Sequence, residues 1–228
     1  MIPHRPVMTA LALAGLALGL AACSPGHSAA PTTTSTTVRR DVPRTTPTTL
    51  PTEDRSLVGH LLAVTDLPAN WTLVSTAPTP PPSSGLPAGS CLAVIQGLAA
   101  HGGLNAIYSN ATTHQQLTEQ LSAYASPAAA SGAYQAAVAE LATCKVVVPT
   151  APSVHASGTL KPLPSAGVAQ QSSAYLLTVV ADDRTDASNV VIGVQGNVVG
   201  VLMLSPAGST SAALATPIAR AAFAKVPR

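Results

Sequence analysis

From Ser24 to about Asp54 the chain has almost nothing apolar to bury, which confines any folded core to the residues that follow. Pro, Thr, Ser and Ala dominate, as in Pro31-Thr32-Thr33-Thr34-Ser35-Thr36-Thr37 and Thr45-Thr46-Pro47-Thr48-Thr49. Burial here cannot offset the entropy of ordering, so the segment reads as an extended, disordered spacer. The same composition suits O-glycosylation. Arg39, Arg40 and Arg44 are offset locally by Asp41, Glu53 and Asp54, which favours a solvated linker over a patch for nucleic acid or anionic lipid.

What precedes the spacer reads as an export signal. Arg5 gives a positive start, Val7 to Leu20 is an apolar run rich in Ala and Leu, and small Ala21 and Ala22 precede Cys23. The run is about 14 residues, short of the roughly 20 that a bilayer-spanning helix needs. Leu20-Ala21-Ala22-Cys23 has the form of a lipobox, in which cleavage before Cys23 leaves its thiol carrying a diacylglycerol. The expected organisation is a lipoprotein signal peptide over 1–22, a lipidated Cys23 with its tether over 23–54, and one globular domain over 55–228. The expected place is the outer face of the cell membrane, with acyl chains such as palmitate as the anchor and the membrane as the first partner.

Cysteine usage agrees with export. Three cysteines would be awkward in an oxidising compartment. Assigning Cys23 to lipid leaves Cys91 and Cys144, which can pair outside the cytoplasm; two buried free thiols are the alternative. A bridge across that span would add on the order of 4 kcal/mol in the chain-entropy model. Two distant cysteines, with no paired histidine at ligand spacing, do not make a zinc site.

The domain has about 170 residues, enough for one core. Charged residues are 9% of the chain and aromatics 3%, so that core must be built from Ala, Val, Leu and Ile. A net charge of +2 does not supply the basic face that nucleic acid demands.

Along the domain, Leu57, Val58, Leu61 and Leu62 predict a short helix over Ser56 to Val64, closed by Leu67-Pro68. Trp71 to Ser75 reads as a short strand, with Trp71 as a core anchor sealing that helix, and Thr76 to Gly89 as a Pro-rich loop. Ser90 can cap a helix carrying Cys91, Val94, Ile95 and Leu98 and stopping at Gly102-Gly103. Ala106 to Ala111 and Gln116 to Tyr124 read as strands, the second setting Leu117, Glu119 and Leu121 against Thr118, Gln120 and Ser122. Ser126 and Pro127 are N-cap and first helical residue of the clearest helix, which carries Ala130, Ala133, Tyr134, Ala137, Val138 and Leu141 and ends near Cys144. Val154 to Leu160, Ser173 to Ala181, Asn189 to Gln195 and Val198 to Leu204 are further strands, and Gly196-Asn197 is a two-residue hairpin turn. A last helix runs from about Thr210 to Lys225, with Pro217 starting or kinking it. Consecutive hairpins with helices bunched elsewhere predict an α+β fold: an antiparallel sheet of about five to six strands, helices packed on it, one disulfide.

Catalytic material is poor. Asp182, Asp183 and Asp186 crowd one loop, which lacks the Gly and distal Glu of a calcium loop. His60, His101, His114 and His155 are scattered. No Gly-x-Ser-x-Gly elbow, His-Glu-x-x-His helix or phosphate loop is present. Glu119 and Glu140 could pair across a cleft, but a strand-face Glu and a surface-helix Glu are the simpler reading. The expectation is a protein that is not an enzyme, with no catalytic residues, no cofactor and no metal.

Several stretches together resemble the actinobacterial extracytoplasmic sensor-like domains found in envelope lipoproteins and on the outer side of a receptor-type Ser/Thr protein kinase. They are Asp66-Leu67-Pro68-Ala69-Asn70-Trp71, Ala139-Glu140-Leu141-Ala142-Thr143-Cys144, the hairpin from Val190 to Val199, and the closing Ala-rich helix. The resemblance covers most of the folded region. It implies helices on an antiparallel sheet with a cleft, disulfide stabilisation and a role in ligand sensing. Kinase-linked members carry more cysteines, so at most one of their bridges is kept here. No kinase domain or transmembrane helix follows, so a signal would pass to a separate partner. The expected function is a binding or sensing module for a small, apolar ligand. The second reading is a structural or protein-interaction lipoprotein with an envelope protein as partner.

Overall fold

Seven strands pair into one antiparallel sheet; burial alternates along β2 and β3, while the Val-rich ends of β6 and β7 are buried throughout. The structure is a computed structural model and describes residues 56–79, 89–98, 102–145, 156–164, 167–181 and 184–228. The strands among the described residues are β1 (Trp71–Pro78), β2 (Gly103–Asn110), β3 (Gln115–Ala123), β4 (Ala156–Leu163), β5 (Gln171–Ala181), β6 (Arg184–Gln195) and β7 (Val198–Ser205). Their order in space is β1-β2-β3-β7-β6-β5-β4. Two meanders therefore meet where β3 pairs with β7, Glu119 lying opposite Leu202. The expectation of five to six strands is corrected to seven, because every strand the hydrophobic pattern marks joins the same sheet. The signal segment, Cys23 and the tether lie outside the described residues, as does most of the Pro-rich loop.

Among the described residues three α-helices cover the sheet: α1 (Cys91–Gly97), α2 (Pro127–Leu141) and α3 (Ser209–Ala224). α2 starts as its sequence demands, with the Ser126 side chain accepting from the Ala129 N–H at 3.1 Å and Pro127 in the first turn. Ser90 occupies the cap position of α1, but its hydroxyl makes no capping bond. α1 also stops earlier than its pattern suggests, at Gly97. Pro217 sits inside α3.

The helices divide between the two faces, giving two buried clusters. On one face α1 and α2 pack against Tyr175, Leu177, Val190, Ile192, Val194, Val199 and Val201. On the other, α3 packs over β6 and β7 with Ile218, Ala219, Ala222 and Phe223 buried. The Phe223 ring lies over two glycines paired across strands, Gly193 of β6 and Gly200 of β7. A methyl group on Gly193 would come within 2.7 Å of the ring, and one on Gly200 within 2.8 Å. The missing side chains are the space the ring fills.

The segment before β1 is not the helix its leucine spacing predicts. It forms two 3-10 turns, Val58–His60 and Val64–Asp66, joined by extended residues at Leu61 and Ala63. Leu57, Leu61, Leu62 and Leu67 are nonetheless buried, in one cluster with Trp71, Leu104, Tyr108 and Leu117. We call this segment, 56–67, the strap. It lies on the α3 face of β2 and β3, and its end is tied to the end of α3 by a 2.6 Å ion pair between Asp66 and Lys225. The Gly196-Asn197 turn joins β6 to β7 as expected, with φ of +55° at Gly196.

Candidate functional site

α1 and α2 carry small residues where they face each other, so the helices leave a groove between them instead of closing up. Its volume is about 310 Å³. Ala93, Val94 and Gly97 form one wall and Ala133, Ala136 and Ala137 the other, with Tyr124 at one end and Glu140 at the rim. The groove sits at the lower edge of the range that accepts small organic molecules. The Tyr124 hydroxyl donates to the Leu98 carbonyl at 3.0 Å, and burial raises its pKa above the ordinary phenol value. A disulfide between Cys91 and Cys144 ties the start of α1 to the residues just past α2. Beside it, the Cys91 N–H donates to the Lys145 carbonyl at 2.9 Å, and the Lys145 N–H to the Gly89 carbonyl at 3.1 Å. The groove is thus fixed at one end by a covalent bond and a short backbone bridge. A second, enclosed space of about 10 Å³ lies between α3 and the sheet beside Asn189. It has room for no more than a water.

The other concentration of polar atoms is buried under the strap. Glu119 is fully buried on β3, on the same face as Leu117 and Leu121. Tyr108 of β2 pairs with Leu117, so its ring lies diagonally from Glu119 on that face. The Leu62 N–H donates to Glu119 Oε2 at 2.9 Å. Tyr108 Oη stands 2.7 Å from the Leu62 carbonyl oxygen and 3.1 Å from Glu119 Oε2. Glu119 Oε1 has no hydrogen-bond partner among the described residues. Desolvation is the main cause that pushes the Glu119 carboxyl up to about 7; the bonds from Leu62 and Tyr108 act in the opposite direction. Tyr108 is likewise raised well above the ordinary phenol value, first by burial and then by the neighbouring carboxyl. At the edge of this cluster Asp66 is held below the usual carboxylate range by its bonds to Lys225 and to the Ala63 N–H.

Of the residues singled out in the sequence, Cys91 and Cys144 are brought together and bonded, while Cys23 lies outside the described residues. Glu119 and Glu140 do not meet, because the sheet separates the strap face from α2. Glu119 is not the ordinary strand-face side chain of the simpler reading but a core residue. The signal is its alternation with Leu117 and Leu121, which puts it on the apolar face. His60 Nδ1 lies 2.8 Å from the Lys225 carbonyl, and His114 is in the β2–β3 turn. His101, His155, Asp182 and Asp183 fall outside the described residues. Among the described residues no three His, Cys, Asp or Glu side chains converge as metal ligands would. No described helix is long and apolar enough to cross a membrane.

Fold and groove together define an α+β domain with helices on both faces of an antiparallel sheet and a disulfide-tied helix pair. No family model matches the chain, and no curated protein matches it. Among solved structures the fold is similar to the extracellular domain of PknH from Mycobacterium tuberculosis. The TM-score is 0.57 at 13% identity, covering 77% of this chain and 97% of that one. At that identity the likeness is one of fold.

Proposed function

We propose that this domain works outside the cytoplasmic membrane as a binding or sensing module, and that the α1–α2 groove takes a small, apolar ligand. The observation that carries the reading is the groove itself: walls of small side chains, one carboxylate at the rim, and an end fixed by the disulfide. A disulfide suits an oxidising compartment, and the solved structure of similar fold is an extracellular domain.

Native mass spectrometry of the mature protein, recovered from its own envelope, tests this. A discrete extra mass, lost on denaturation, supports the ligand. Ala136→Trp puts an indole into the groove from an exposed helix position. It should remove that mass and lower affinity for an apolar probe at least tenfold, while changing stability by less than about 1 kcal/mol. Retention of the extra mass in this variant would move the site elsewhere.

The anchor belongs to the same proposal. Residues 1–22 are removed, Cys23 carries the lipid, and 23–54 hold the domain away from the membrane. Cys23→Ser should move most of the protein from the membrane fraction to the soluble envelope fraction, since two or more acyl chains anchor durably and none do not. A variant that stays with the membrane would show that something other than lipid holds it.

A second reading, protein interaction, draws on β1. This edge strand carries no charge from Trp71 to Pro78 and leaves Leu73 and Val74 exposed. The opposite edge, β4, carries Lys161 and Pro162, residues that discourage strand addition. A bare polypeptide mass in the native measurement, together with one recurrent crosslinked protein in intact cells, would favour this reading.

A further inference from the structure

The hydrogen bonds around Glu119 can be counted proton by proton, and the count says which form of the carboxyl fits. A carbonyl oxygen only accepts, so the 2.7 Å contact between Tyr108 Oη and the Leu62 carbonyl uses the single phenolic proton. The contact from Tyr108 Oη to Glu119 Oε2, at 3.1 Å, then lacks a proton unless the carboxyl supplies it. With the carboxyl neutral, a ring closes: Glu119 O–H donates to Tyr108, Tyr108 to the Leu62 carbonyl, and the Leu62 N–H to Glu119. With the carboxyl ionised, two acceptors compete for one phenolic proton; Oε1 is bare in either form, but costs more when it shares a buried negative charge. Both backbone polar groups of Leu62, in the middle of the strap, depend on this ring.

We infer that Glu119 is a proton-dependent latch, which holds the strap down on the sheet when its carboxyl is protonated and loosens it on ionisation. The position of the strap gives this a consequence: it is the segment that joins the domain to the chain leading from the proposed anchor. The latch stands whether or not the groove holds a ligand.

Direction and range follow from the groups around the latch. Burial pushes the carboxyl up to about 7, above its ordinary value, so the docked strap takes up a proton that the released strap lets go. Docking is therefore tightest below the ordinary carboxyl value of 4.5, weakens as the pH rises from there, and levels off above about 7. Lys225 favours the ionised form and Asp66 opposes it, and the two are paired with each other at 2.6 Å. Tyr108 touches the carboxyl from β2, and β7 places Leu202 opposite it. His60, on the strap, bonds to the Lys225 carbonyl through Nδ1 at 2.8 Å.

Hydrogen exchange at the Leu62 amide in the full-length protein reads the latch directly. After correction for the intrinsic pH dependence of exchange, protection at Leu62 should fall roughly 50- to 100-fold between about pH 5 and about pH 8. Amides in the middle of β6 and β7 should not follow it. Glu119→Gln keeps the shape and cannot ionise, so in that variant Leu62 should stay protected across the range. A protonated-carboxyl infrared band, present in wild type at pH 5, absent from Glu119→Gln and lost by pH 8, is the second readout. Protection at Leu62 that does not change with pH, or the same change in Glu119→Gln, overturns the latch. So does an infrared band already absent at pH 5.

Discussion

Phe223→Ala should destabilise the domain by about 3–5 kcal/mol, one of the two largest effects expected from any small change in this chain. Most buried aromatics have side chains around them that can partly collapse into the space they leave. Phe223 does not, on the side of the sheet: beneath the ring are Gly193 and Gly200, paired across β6 and β7. The next side-chain atoms that a methyl at these glycines would meet are Ala169 Cβ, 3.1 Å from one at Gly193, and Leu121 Cδ2, 3.2 Å from one at Gly200. Urea denaturation, at constant slope, measures the loss.

A double-mutant cycle separates this account from a simple loss of buried area. In the wild type, Gly193→Ala drives a methyl to within 2.7 Å of the ring, so it should destabilise. In the Phe223→Ala background the ring is gone and Ala169 Cβ, at 3.1 Å, is the neighbour left to crowd the same methyl, so the substitution should cost much less. That difference is the coupling that a shared cavity produces. If Gly193→Ala costs the same in both backgrounds, the ring does not fill the glycine space.

The second large effect is loss of the disulfide. Cys91 and Cys144 are 53 residues apart in sequence. Opening that loop in the denatured chain by replacing both with Ala should cost about 4 kcal/mol in the chain-entropy model. For a domain of this size that is a fall in melting temperature of roughly 10 °C. The effect should be uneven. Cys91 is fully buried at the start of α1, a helix of 7 residues with little hold of its own. Amides of α1 should therefore lose protection well before those of β5 to β7, and ligand affinity in the groove should fall with them. A uniform loss of protection across the sheet would mean that the bridge acts on the whole domain and not on the groove.

Much of the fold is legible in the sequence because local chemistry and burial agree there. Ser126-Pro127 sets the start of α2, Gly196-Asn197 marks the β6–β7 turn, and the Val-rich runs beside it lie in the buried middle of the sheet. The strap departs from its pattern for a physical reason. Leu57, Leu61 and Leu62 have the spacing of a helix face, yet Leu61 is extended, with ψ of 153°. Leu62 finds its backbone partners on β2 and β3. Spacing reports which residues are buried, not which backbone bonds bury them. The first residues of β6, Arg184 to Ser188, are largely polar and read as a connection because they lack an apolar alternation. They form a strand because β5 supplies a full ladder, from Arg184 opposite Ala181 to Ser188 opposite Leu177.

For the groove, residue order shows the apolar stripe of α2 and the two cysteines but not the gap between the helices. A gap depends on which small residues face each other, Ala93 and Gly97 against Ala133 and Ala136, and that is settled only by packing. Glu119 is visible as a carboxyl on an apolar face. What makes it unusual, a tyrosine hydroxyl set between a backbone carbonyl and the carboxyl, has no trace in residue order.

In mechanical terms the strap is in series with everything after it. A pull entering at Ser56 meets the strap's contacts before it reaches any strand ladder. Those contacts are of different kinds: the ring through Glu119 and Tyr108, the Asp66–Lys225 pair, and four leucines seated against the sheet. They do not repeat along one direction as ladder bonds do, so they give way in succession and not together. Next in line is β1, bonded along one side only, which tension would unzip from β2. Yielding would thus run from the N-terminal edge inward: with β1 free, the load passes along the chain to Cys91 and its disulfide before it reaches β5 to β7.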